Sequence, residues 1–222
     1  MNKIPLIIGA GHGWCATSPL HLTLQCANKC SHTGLLKEDH LLSHIYDPSI
    51  WEWREPWYEK LQASEYCPVR DRLRGYLGKY GYHYEKEEIK EYYSKTPTLK
   101  TYIMYYTRHY DRIKHEYKYV SDFSNSTANL PRSFIAKIAP VLKKHFDIKV
   151  LKIFRDPTRR LYSELSQIYQ DSRELQNSYS TSKEYWRSYL KKGEITPNSD
   201  YIGSFKSFNE HFSTISIVSE EL

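Results

Sequence analysis

Apolar residues along this chain gather into a few short continuous runs, separated by longer stretches of helical period. The first run, Ile4 to Ile8, is closed by Gly9. Its length and continuity suit a strand buried on both faces of a parallel sheet. Ile148 to Phe154 is the clearest later strand, and Tyr117 to Phe123 and Thr214 to Val218 read the same way. Leu41 to Tyr46 reads as the remaining strand. After the first run, Ser18 is placed to cap a helix with Pro19 in its first turn, and Leu20, Leu24 and Ala27 recur on one face. Phe134, Ile135, Ile138, Val141 and Leu142 form a second stripe, in which Pro140 is expected to kink or restart the helix. Leu161, Leu165 and Ile168 form a third, and Gly203 to Phe212 reads as a further helix.

The stretch 51–116 is polar, aromatic and mostly helical in period. Glu85 to Tyr93 is helical in character, and from Pro97 onward Tyr102, Tyr106 and Tyr110 recur at spacings of four. This section reads as a helical insertion able to shape a substrate cleft. Residues Glu174 to Asp200 are polar and expected to be mobile. Five strands alternating with helical stretches predict an α/β fold with a five-stranded, mostly parallel sheet flanked by helices. Ligands of such sheets bind at the carboxyl ends of the strands. Residues 9–18, 122–127 and Arg155 are therefore expected to converge on one site.

Composition narrows this picture. The 222 residues suit one domain, and 40% hydrophobic content supports a real core. Tyrosine is abundant, at 21 residues, and its rings are expected mainly to cover helices at a wet surface. The net charge of +6 favours anionic partners. The positive residues are interleaved with Glu and Asp rather than massed, which argues against a dedicated nucleic-acid surface. Cys26, Cys30 and His32 invite a zinc reading, but only one close pair is present. With Cys15 and Cys67 they read instead as free thiols in a reducing compartment, and no metal is expected. The apolar stretch after Met1 is too short for a secretory leader, and no run is long enough to span a membrane. A cytoplasmic location is the expectation.

Two segments carry candidate chemistry. In the loop Gly9-Ala-Gly11-His-Gly13-Trp-Cys-Ala-Thr17-Ser18, glycines let backbone N–H groups face an anion, and Thr17 and Ser18 add hydroxyls. It lacks the Gly-Lys-Ser/Thr ending of the nucleotide-phosphate motif. In the second, Arg155-Asp-Pro157 leaves the clearest strand and starts a helix carrying Ser163 two turns in. Arg155 and Ser163 can then grip one phosphate from two sides, a contact worth roughly 1.5–3 kcal/mol when buried.

The order of these segments resembles the sulfotransferases that use 3′-phosphoadenosine 5′-phosphosulfate (PAPS). In that family an Arg-(Asp/Asn)-Pro and a Ser eight residues after the Arg hold the 3′-phosphate, the separation of Arg155 and Ser163 here. Ser121-Asp122-Phe123-Ser124 running to Leu130-Pro131, and the closing Glu220-Glu221-Leu222, match further family markers. The resemblance implies a three-layer sandwich like that of P-loop nucleotidases, with Gly11, Gly13, Thr17 and Ser18 around the phosphosulfate. His12 stands where the family loop carries Lys or Arg, and would support charge on the leaving oxygen. The acceptor must lose a proton, and Lys37-Glu38-Asp39-His40 matches a family stretch that supplies the base. Glu38 or His40 would take that role, with Lys37 in electrostatic support; His44, Glu52 and Glu55 are lesser candidates.

The resemblance therefore implies sulfuryl transfer from PAPS to a hydroxyl or amine, leaving 3′-phosphoadenosine 5′-phosphate (PAP). Family members continue with a further helix and nucleotide loop where this sequence stops. That difference and His12 keep a second reading open, a nucleotide- or partner-binding module without turnover. A nucleotide or small-molecule kinase is the third, and would need a loop lysine and magnesium carboxylates. Carbohydrate, lipid, peptide and small-alcohol acceptors all remain open, as does the oligomeric state. The compact, leaderless form suggests a bacterial or viral member.

Overall fold

A computed structural model describes residues 3–13, 15–27, 29–63, 85–191 and 201–218. Five strands form one sheet: β1 (Ile4–Gly9), β2 (Ser31–Thr33), β3 (Tyr119–Asp122), β4 (Phe146–Phe154) and β5 (Ser213–Val218). Their order is β2-β3-β1-β4-β5, and every pairing is parallel. β1 lies at the centre, with Leu6 opposite both Val120 and Ile148. Its run is apolar because both faces are covered. Leu6 and Ile8 point into the larger core with Val120, Ile148 and Val150. Ile7 points the other way, joining Leu151, Ile153, Phe123 and Leu20. The period of two thus splits one strand between two cores, the signature of a three-layer sandwich.

The helices are α1 (Thr17–Leu22), α2 (Leu41–Tyr46), α3 (Trp51–Ala63), α4 (Lys86–Tyr92), α5 (Leu99–Ile113), α6 (Arg132–His145), α7 (Pro157–Asp171), α8 (Arg173–Ser178), α9 (Ser182–Lys191) and α10 (Tyr201–Asn209). A π-helical turn, Thr23–Ala27, continues α1. α1 begins at Thr17 rather than after a Ser18 cap, because Ala16 turns the chain at φ 60°. The Asp156 carboxylate accepts from the Arg159 N–H at 2.8 Å and caps α7, whose first residue is Pro157. α6 runs unbroken through Pro140, which lies on its exposed side.

Three expectations are corrected. Leu41 to Tyr46 is helix α2, not a strand: Leu41, Leu42 and Ile45 meet the larger core along one helical stripe. The missing strand is Ser31–Thr33, whose three polar residues are all buried beside β3. The polar stretch after Glu174 contains α8 and α9, with 192–200 outside the described residues. The described tyrosines of 51–116 do not mainly coat a wet surface. Tyr92, Tyr93, Tyr102, Tyr105 and Tyr106 are buried in the larger core. Ring pairs such as Tyr102–Tyr106, with centroids 4.6 Å apart, give it an aromatic interior.

Among the described residues no helix is long and apolar enough to cross a membrane. Cys15, Cys26 and Cys30 are free thiols, and no cluster of His, Cys, Asp and Glu could hold a metal ion there. Cys67 and Glu220 to Leu222 lie outside the described residues.

Candidate functional site

The β1–α1 loop leaves the carboxyl end of the central strand. The Ala10 N–H donates to the Leu151 carbonyl at 2.9 Å, so the loop starts locked to β4. Its glycines have different duties. A Cβ on Gly9 would stand 2.3 Å from the Phe123 ring, and one on Gly11 2.6 Å from Thr17 Cγ2. Both are required for close packing. A Cβ on Gly13 would meet only Asn125 Nδ2, at 3.7 Å, so Gly13 is the glycine that borders open space. His12 is buried, its ring 5.0 Å from that of Tyr201.

The positive charge beside the loop comes from another element. Lys37, six per cent exposed, donates from Nζ to Thr17 Oγ1 at 3.1 Å and to Glu38 Oε1 at 2.6 Å. His40 follows in a left-handed backbone conformation, φ 51°, immediately before α2. Its Nδ1 lies 2.7 Å from Ser126 Oγ, its Nε2 3.6 Å from Glu38 Oε2, and its backbone N–H donates to Ser124 Oγ at 2.8 Å. Burial holds the His40 imidazole below its usual range, against the pull of Glu38, and Arg54 and Lys37 add to the depression. It is therefore neutral near pH 7 and able to accept a proton. Thr17, Lys37, Glu38 and His40 thus form one connected group, while Ser18 is only half-buried beside it.

Between Lys37 and His40 the chain is anchored by Asp39. Its two carboxylate oxygens accept from Tyr93 Oη at 2.8 Å and Tyr105 Oη at 2.7 Å. Burial pushes this carboxyl up to about 6, although both phenols and Arg54 oppose the shift. Asp122, at the end of β3, accepts from the Ser124 N–H at 3.0 Å and from Tyr102 Oη at 3.2 Å, and burial raises it as well. His44 is buried against Arg54, with Nδ1 2.7 Å from Nη1, and is lowered to about 4, chiefly by desolvation. Glu52 is exposed and Glu55 pairs with Lys95 at 3.6 Å.

On the opposite side of the loop, past β4, Arg155 Nη1 donates to Ser163 Oγ at 3.0 Å. The spacing of eight brings these two side chains together. Two cations nearby carry no sequence signal strong enough to be singled out. Lys152 is buried in β4 and donates to Ser204 Oγ at 2.5 Å. Arg160 is buried and paired with Glu164 at 2.8 Å. The electrostatics of Cys15, in the loop, register Arg160, Lys152 and Arg155 as neighbouring positive charges, although burial outweighs them and raises its thiol. A Lys inside an apolar strand was the available clue to the first, and the Arg159-Arg160 doublet to the second.

A cavity of about 360 Å³ opens beside Gly13, on the α2 and β3 side of the loop. His40 approaches its wall through Ser126 and through Trp53, whose ring it meets edge-on at 6.1 Å. The loop therefore separates two regions. Arg155 and Ser163 lie past β4, and Glu38, His40 and the cavity lie past β2 and β3. No family model matches the chain, and no curated protein matches it either.

Proposed function

We propose that this chain is a PAPS-dependent sulfotransferase. The observation that carries the reading is the contact of Lys37 with Thr17, which brings a buried ammonium to the anion loop within reach of Glu38 and His40. The donors fit the ligand's chemistry: Arg155 and Ser163 for one phosphate, Thr17, Lys37 and the loop amides for the phosphosulfate. An acceptor oxygen approaching from the cavity would bond to sulfur as the sulfur–oxygen bond to the 5′-phosphate breaks. His40 takes the acceptor proton and Glu38 steadies the imidazolium. Lys37 meets the charge growing on the departing phosphate oxygen, the role the family gives to a loop cation. His12, packed against Tyr201, is then a packing residue.

The packing of His12 also favours the second reading, a nucleotide-binding module without turnover. Kinase chemistry is less well supported, because both Asp122 oxygens already accept protein hydrogen bonds. Calorimetric titration with PAP, wild type beside Arg155→Ala, tests the donor site. Micromolar binding that weakens about tenfold to a hundredfold in the variant is expected, from the roughly 1.5–3 kcal/mol of a charge-assisted contact. A folded wild type that ignores PAP would end the assignment. Transfer of labelled sulfate to an acceptor then separates turnover from binding alone.

A further inference from the structure

We propose that the cavity beside Gly13 is a saccharide site that takes the end residue of a neutral glycan. Its chemistry is uneven in an informative way. Two large aromatic side chains at its wall stand half in solvent: Trp53 is 58% exposed and Tyr46 51%. Among the described residues, Tyr162 is the other large aromatic side chain exposed to a comparable degree, so these two are unusual. The other polar side chains of the wall are neutral amide and hydroxyl, from Ser43, Asn125, Ser126 and Asn129, with one carboxylate, Asp47, among the described residues. The Asp47 side chain is held by the Ser49 N–H at 2.9 Å, and that hydrogen bond lowers its carboxyl, so it is ionised at neutral pH.

This composition discriminates among acceptor classes. Among the described residues no Lys or Arg lines the cavity, and an ionised carboxylate does, so a sulfated, phosphorylated or carboxylated acceptor would enter unpaired and repelled. The aliphatic residues, Ile50 and Leu130, are themselves nearly buried, so the most exposed apolar side chains of the wall are the aromatic rings of Tyr46 and Trp53. A sugar ring has what the wall asks for. Its C–H face lies on an aromatic ring, and its hydroxyls both donate and accept, matching amides, hydroxyls and a carboxylate. About 360 Å³ is near the lower end of the roughly 300–1,000 Å³ of small-ligand sites, which favours one residue inside and the rest of the chain in solvent. The site is placed for use, since Ser126 and Trp53 in its wall both touch His40.

The role of this saccharide as acceptor rests on the sulfuryl-transfer reading, whereas its binding does not. The test is an array of neutral and acidic oligosaccharides probed with wild type, Trp53→Ala, Trp53→Phe and Arg155→Ala. Neutral glycans should be retained by wild type and by Arg155→Ala, lost at least tenfold by Trp53→Ala and largely recovered by Trp53→Phe. Trp53 is exposed, so its removal should leave the fold intact by circular dichroism. Retention of acidic glycans in preference, indifference to Trp53→Ala, or no retention by folded wild type would each overturn the proposal. Glycan binding without PAP binding would end the donor assignment and leave this site standing; PAP binding without glycan binding would do the reverse.

Discussion

The two flanks of the sheet are built from different materials. On the β2–β3 flank, tyrosines, histidines and carboxylates are sealed into the interior. Asp39 and Asp122 accept from three phenols, and His32 Nδ1 lies 3.0 Å from His109 Nε2 with both rings buried. On the β4–β5 flank, α8 and α9 bury no residue, and their aromatic contacts are peripheral, as where Tyr162 meets Trp186 edge-on at 5.1 Å. β5 itself leaves Ile215 and Val218 substantially exposed. A buried polar network is rigid when its members are satisfied. Asp39 and Asp122 are satisfied in this way beside the segment of Lys37, Glu38 and His40, which favours a fixed geometry there. On the flank that holds Arg155 and Ser163 the outer helices α8 and α9 bury no residue, which would suit entry and release of the proposed nucleotide.

This contrast can be broken at several points. The largest effect is expected at Lys37. Lys37→Met should lower sulfuryl-transfer rate about 10²–10³-fold, by analogy with loss of one charge-stabilising donor, while circular dichroism stays unchanged. A rate within threefold of wild type would remove Lys37 from the chemistry.

Next comes Asp39, where stability rather than rate is read. Its carboxyl is raised to about 6 in the folded state from an ordinary 3.8. The folded protein thus binds more protons than the unfolded chain between those values, and this group's contribution to stability falls as pH rises from about 4 to about 6. Asp39→Asn removes that term. Urea unfolding should show the variant gaining on wild type across this window, by an amount on the order of 3 kcal/mol. A difference that does not change with pH would mean that Asp39 is not held protonated by burial. The histidines with depressed values, His21 at about 3 and His44 at about 4 with His40 and His109 lowered as well, work in the opposite direction and are common to both proteins, so they cancel.

The smallest effect belongs to the other flank. Tyr162→Ala should cost about 1 kcal/mol, the scale of one edge-to-face pair, and leave transfer activity within twofold. A loss of about 3 kcal/mol or more, the scale of removing a fully buried aromatic side chain, would show that the outer helices are as tightly bound as the inner ones.

Legibility in the sequence follows the same division. β1 and β4 are continuous apolar runs and were readable, as were Asp156-Pro157 at the start of α7 and the pairing of Arg155 with Ser163. β2 was not, because Ser31, His32 and Thr33 are buried polar residues and carry no apolar signal. α2 was misread because Leu41, Leu42 and Ile45 in a six-residue window fit either period. Lys37 and His40 were named from their segment, yet the contact of Lys37 with Thr17 spans twenty residues and is set by how β2 turns back toward the loop. The tyrosine interior was missed since a phenol buried beside a carboxylate and one on a wet surface look alike in a list of residues.

The backbone at His40 has a consequence for how this protein would evolve. A left-handed φ of 51° in a residue with a Cβ is a strain of roughly 1–2 kcal/mol that glycine escapes. Under selection for thermal robustness alone, glycine would drift into this position. Under selection for a working imidazole, histidine would be kept there against that drift. Position 40 is thus a place where the two selective pressures name different residues, and the residue recovered from a mutant library would report which of them had been applied.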